Sequence, residues 1–157
     1  MKILMDADCL IKLTKAGLKE NISQHYEIAI PLVVKEEVVE AGKIKGVPDA
    51  ELVEKNIQKN IIRVAGKKSL IHVKGDQALM EIFKRGQYDL VATDDAKLTR
   101  LLKSMAIPYI LPGLLIYSLY QRNIIDKADA KNWLEELSFF ISEDEHSMIK
   151  LLLEERS

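Results

Sequence analysis

The chain has 157 residues, 48% of them hydrophobic and 30% charged, which suits one globular domain with a single sizeable core. Lys and Arg (23) nearly balance Asp and Glu (24), so the net charge of -1 excludes nucleic-acid binding driven by bulk charge; contact with a polyanion would need local Lys/Arg clusters or bound metal ions. Cys9 is the lone cysteine, which excludes an intramolecular disulfide, and no apolar stretch approaches the ~20 residues of a membrane span, so a cytoplasmic setting is the expectation.

Ile3-Leu4-Met5 is a short buried strand stopped at once by Asp6, too short for a signal-peptide core. A helix from Cys9 carries Leu10 and Leu13 inward and ends near Gly17. Ile28-Ala29-Ile30 is a second strand, and Pro31 opens a helix with Val34, Val38 and Val39 on its apolar face that Gly42 should end. Residues 42–48 read as a loop. Pro48 or Asp49 opens the next helix, with Leu52, Val53 and Ile57 expected inward, and residues 61–64 are a third strand.

Residues 67–74 fit either a strand or an irregular connector. Gly75-Asp76 opens a helix with Leu79, Ile82 and Phe83 on one face, closed by Gly86. Leu90-Val91-Ala92 is a buried strand. A helix from Asp95 follows, with Leu98, Leu101, Leu102 and Met105 inward. Residues 107–111 are a fifth strand, ended by Pro112-Gly113. Three helices complete the chain, marked by Leu114, Leu115 and Leu119, then Trp133, Leu137, Phe140 and Ile141, then Met148, Leu151 and Leu152. Strands alternating with helices imply a parallel sheet covered on both faces. The expected organisation is a single domain over residues 1–157, with a helical extension from about 114 to 157.

In open parallel sheets, sites form beyond the carboxyl ends of the strands. Asp6 and Asp8 follow the first strand, and Asp94 and Asp95 follow the Leu90–Ala92 strand. Glu36 and Glu37 lie on the helix after the second strand, and Asp76 on the first turn of its own helix. Each has a plainer reading. Asp6, Asp76 and Asp94 or Asp95 suit helix N-termini, and Glu36-Glu37 suits a solvated face. Together, however, unpaired carboxylates at one edge repel one another and raise each other's pKa, and a hard cation such as Mg²⁺ or Mn²⁺ removes that cost. Such a cation can activate water and offset charge on a phosphodiester.

The ordered set MDAD (5–8), VVKEEV (33–38), GDQAL (75–79) and VATDDAKL (91–98) resembles the PIN-domain family over about two-thirds of the chain. The resemblance implies a three-layer α/β/α sandwich around a short parallel sheet. It also implies a Mg²⁺- or Mn²⁺-dependent endoribonuclease that acts on single-stranded or structured RNA. Asp6, Glu37, Asp76 and Asp95 match the family's four acids, with Asp94 an equal candidate for the fourth and Asp8 an added acid where Ser, Thr or Asn is common. Asp76 stands where related members usually carry Glu. These departures leave open a degenerate PIN-like binding module without catalysis.

The C-terminal helices resemble those of VapC-like toxins. That implies either a toxin with a small antitoxin protein as partner or an RNA-processing enzyme. Lys12, Lys97 and Arg100, close in sequence to the acids, are candidates for contacts with RNA phosphates, and the amphipathic tail suggests a homodimer. His25, His72 and His146 lack zinc-ligand spacing, and Cys9 reads as a small buried residue. The competing enzyme is a haloacid-dehalogenase-type phosphatase, which shares an Asp-x-Asp after the first strand. Against it, Leu10 stands where that family usually has Thr or Val, and no catalytic Lys motif separates the acidic clusters.

Overall fold

The computed structural model describes residues 1–66 and 75–155, so the strand-or-connector segment 67–74 lies outside the described residues. Five strands form one sheet: β1 (Lys2–Met5), β2 (Glu27–Pro31), β3 (Ile62–Ala65), β4 (Leu90–Ala92) and β5 (Tyr109–Ile110). Their spatial order is β3-β2-β1-β4-β5, and every pairing is parallel. Parallel neighbours need crossover connections, which the intervening helices supply, and a sheet buried on both faces needs the unbroken apolar runs that mark β1, β2 and β4.

Side-chain alternation along the strands divides the core in two. Leu4, Ala29 and Val91 face helices α6 (Gly75–Arg85) and α7 (Ala96–Ser104), which contribute Leu79, Ile82, Leu98 and Leu102. Ile3, Met5, Ile28, Ile30 and Ala92 belong to the larger core on the other face. There they join Leu10 and Leu13 of α1 (Ala7–Lys15) and Val53 of α5 (Pro48–Gln58). The same core takes Leu115, Leu137 and Ile149 from α8 (Pro112–Gln121), α9 (Lys127–Ser138) and α10 (Glu143–Glu155). The architecture is the expected one, an α/β fold with a parallel sheet flanked by helices.

Local chemistry sets the helix starts. Asp6, Asp95 and Asp126 cap α1, α7 and α9 by accepting from the backbone N–H groups of Cys9, Leu98 and Asp129. Pro48 and Pro112 occupy the first positions of α5 and α8, where a missing N–H costs nothing.

Several sequence expectations need correction. Gly42 does not end its helix. The run continues as α3 (Leu32–Lys35), a π-helical turn (Glu36–Glu40) and α4 (Ala41–Ile44). Gly42 is there for close packing, because a Cβ on it would stand 2.9 Å from the Cβ of Ala50 on α5. Leu52, expected inward, is 45% exposed, since Ala50, Val53 and Asn56 form the buried stripe of α5. On α10 the inward positions are Glu145, Ile149 and Leu153, one helical row, and Met148 and Leu151 face out. The fifth strand shrinks to two residues, and a short helix α2 (Lys19–Ser23), unforeseen in the sequence, follows α1.

The α5 correction has a direct test in thermal melts. Val53→Ala should lower stability by about 2 kcal/mol through loss of buried methyl groups, whereas Leu52→Ala should stay within about 0.5 kcal/mol of the parent.

Candidate metal centre at the carboxyl edge of the sheet

The chain builds β2 and β3 on one side of β1 and then returns to build β4 and β5 on the other. The order therefore reverses between β1 and β4, and ligands in open α/β sheets bind at such a switch. Met5 pairs with Ala92, and the Asp6 N–H donates to the Ala92 carbonyl at 3.2 Å, so Asp6 and Thr93 leave the sheet side by side.

Asp6 is 8% exposed. Its Oδ1 accepts from the Cys9 N–H at 2.8 Å and its Oδ2 from the Thr93 hydroxyl. Burial is the largest influence on this carboxyl and raises it. The Thr93 and Cys9 hydrogen bonds oppose that, Asp8 and Asp94 add to it, and the pKa lies at about 7. Cys9 is fully buried, and burial followed by the charge of Asp6 pushes its thiol well up, so it is a packing residue and not a thiolate.

Thr93, also buried, receives the Asp95 N–H on its hydroxyl at 3.1 Å. Asp95 spends Oδ1 on the cap of α7, at 2.8 Å from the Leu98 nitrogen. Asp94 turns to a different set of partners. Lys12 Nζ donates to both its oxygens, at 2.7 and 2.8 Å, and also bridges to Asp8 at 3.0 Å. Burial works against the Lys12 charge, but its hydrogen bonds to Asp94 and Asp8 outweigh that and raise its pKa.

Asp94 lies near Glu145, a buried carboxyl on α10, close enough to influence its ionisation. Glu145 accepts from the Gly113 N–H at 3.0 Å, in the first turn of α8. Burial is the main cause of a rise in the Glu145 pKa to about 7; the Gly113 bond lowers it, and Asp94 adds to the rise.

Across the cleft, Glu37 sits in the π-helical turn and Asp76 in the first turn of α6. Glu37 is largely exposed, yet partial burial and then the charge of Asp76 raise its pKa. Asp6, Asp8, Glu37, Asp76 and Asp95 line one cleft of about 260 Å³, together with Ala7, Val34, Gly75 and Leu79. Two larger hollows, of about 350 and 450 Å³, lie beside the first residues of β1 and β2 and gather no more than two acids each. Chemistry, and not size, therefore points to the carboxyl edge.

The structure thus brings together five of the six expected acids and sets Asp94 apart with Lys12 and Glu145. Among the described residues, no three acids close tightly around one point. The arrangement is an open rim of hard oxygen donors, which suits a cation such as Mg²⁺ that keeps several of its waters. The carboxyls of Asp6 and Glu37 are both raised, first by burial and then by neighbouring acids, and a divalent cation beside them would favour their charged forms. Lys97 and Arg100 are exposed on the first turns of α7, next to the Asp95 cap.

Two participants escaped the sequence reading. Thr93 had a signal, its place between a buried strand and the Asp pair. Glu145 had almost none, since it stands in the acidic run 143–145 that reads as a solvated helix start. Only its four-residue spacing to Ile149 and Leu153 marks it as inward.

A family model described as PIN domain matches residues 2–155. The chain belongs to the PIN-domain family, a nuclease-type fold whose members in general use divalent metals and bind RNA. No curated protein matches the chain. Membership sets aside the haloacid-dehalogenase alternative. No helix among the described residues is long and apolar enough to cross a membrane.

The electrostatics of Asp6 predict a pH-dependent stability in metal-free buffer. Its pKa rises from 3.8 to about 7 on folding, so between those values the folded state binds more protons than the unfolded state. Stability contributed by the protonated carboxyl is complete at lower pH and is lost as pH rises through this window. Asp6→Asn keeps the cap and does not titrate. In EDTA its Tm should match the parent near pH 4 and exceed it by about 2–5 °C at pH 8. A lower Tm for Asn at pH 8 would make Asp6 a structural hub first.

Proposed function

We propose that this protein is a Mg²⁺- or Mn²⁺-dependent endoribonuclease that cleaves single-stranded RNA, with Asp6, Glu37, Asp76 and Asp95 as the residues that hold the metal. The observation that carries the reading is the meeting of acids from four separate chain segments in one cleft at the switch point of the sheet. A bound divalent cation supplies Lewis-acid activation of water and offsets the negative charge that builds on the phosphodiester.

The chain's own residues do the positioning. The Cys9 N–H and the Thr93 hydroxyl hold both oxygens of Asp6, so this carboxylate cannot rotate away. The Asp95 cap bond uses one oxygen and leaves the other for a ligand. Asp76 and Glu37 complete the acidic lining of the same cleft. Water adds at phosphorus, the bond to the leaving oxygen breaks, and that oxygen takes up a proton. Arg100 and Lys97 are the proposed contacts for flanking phosphates. Because such side chains are few, binding should weaken only modestly with salt.

The assay compares the parent with Asp6→Asn on an unstructured RNA in Mn²⁺. The parent should cleave, EDTA should abolish cleavage, and the variant should lose at least about 100-fold. Equal cleavage by both would assign the activity to a contaminant. No cleavage by the parent in either metal across several RNAs would favour a PIN-like module that binds without cutting.

The proposal includes a homodimer. Ile44, Val47 and Leu52 are exposed apolar side chains on or between α4 and α5, with relative exposures of 88%, 40% and 45%. Light scattering at micromolar concentration should return twice the 17.8 kDa chain mass, and a monomer mass would refute this part.

A further inference from the structure

The six acids at this edge are enough for two divalent ions of the kind held about 4 Å apart in two-metal hydrolases. Their contacts divide them unequally. Asp94 accepts from the Lys12 ammonium on both oxygens. Its side chain is only 7% exposed, and it does not line the cleft that holds Asp6, Glu37, Asp76 and Asp95. Asp8 lines that cleft but is bridged by the same Lys12 ammonium.

We propose that the Lys12 ammonium stands in the place of a second metal ion, so that this site takes one divalent cation per chain; the inference rests on the metal-dependent reading above. A buried carboxylate without a partner is costly, so Asp94 needs a cation in every state of the protein. Lys12 is attached to the fold through α1, four residues beyond Asp8, and so is always available at this point. A second divalent ion between Asp8 and Asp94 would have to displace an ammonium that already makes three contacts of 3.0 Å or less, or sit against its charge. Asp6, Glu37, Asp76 and Asp95 then remain for a single ion.

The test counts Mn²⁺ on the EDTA-stripped, full-length protein by calorimetry and by electron paramagnetic resonance of the free ion. The parent should bind one Mn²⁺ per chain up to millimolar concentration. Two per chain would overturn the inference and leave the metal-dependent reading standing, whereas none would overturn that reading and the inference with it. Lys12→Met should admit a second Mn²⁺; a count that stays at one would show that the lysine is not what excludes it. Since Lys12→Met leaves Asp94 uncompensated and can unfold, Lys12→Arg is measured beside it. With the charge kept, its count should stay at one, and a second ion there would also overturn the proposal.

Discussion

The parallel pairing of β1 with β4, Met5 opposite Ala92, is the contact on which the rest of the site depends. It brings together two stretches of chain about ninety residues apart and makes them end level, so that Asp6 and Thr93 emerge as neighbours. From there both turn into helices. A helix begun at a strand end needs a capping side chain, and Asp meets that need while adding a carboxylate to the rim. Asp6 and Asp95 cap their helices and also line the cleft, so a helix-cap reading of either does not compete with the proposed metal-ligand role.

Gathering acids at one edge sets an electrostatic problem that the fold meets in more than one way. Lys12 neutralises Asp8 and Asp94. Backbone N–H groups at the starts of α1, α7 and α8 take oxygens of Asp6, Asp95 and Glu145. Asp6 and Glu37 stay raised, chiefly by burial and in smaller part by the neighbouring acids. A divalent cation beside them would offset both influences by favouring the charged carboxylates. The Glu145 contact also explains why the C-terminal helices pack where they do. A Cβ on Gly113 would come within 2.8 Å of Ile149 and 3.2 Å of the Glu145 carboxylate, so glycine there lets α8 approach α10 closely enough for the bond to form.

The parts of this arrangement that were legible in the sequence are the local ones. Short apolar runs ended by acids marked β1 and β4, and the alternation of strands and helices implied their parallel order. The carboxyl-edge rule then placed Asp6, Asp8, Asp76, Asp94 and Asp95 on one side of the sheet. Contacts between distant segments left no such trace. Nothing near Asp94 announces that it turns to Lys12 and Glu145 and away from the cleft. Gly42 looked like a stop because glycine ends helices, whereas here it is selected by the approach of α5. Leu52 is apolar and yet exposed, because the buried stripe of α5 runs through Ala50, Val53 and the polar Asn56.

The placement of Glu37 depends on the valine pattern around it. The buried residues around it are two valine pairs, Val33-Val34 and Val38-Val39, five positions apart. In an α-helix, with 3.6 residues per turn, Val34 and Val38 share a face, whereas the five-residue steps from Val33 to Val38 and from Val34 to Val39 rotate a side chain well off it. A turn with i→i+5 hydrogen bonds widens the helix and brings positions five apart back toward alignment. The π-helical turn over Glu36–Glu40 is the backbone's answer to that repeat. It lets both valine pairs stay buried and leaves Glu37, the residue just before the second pair, in the cleft that Asp6 also lines. The hydrophobic pattern that looks irregular for an α-helix is thus the same pattern that delivers the acid to the site.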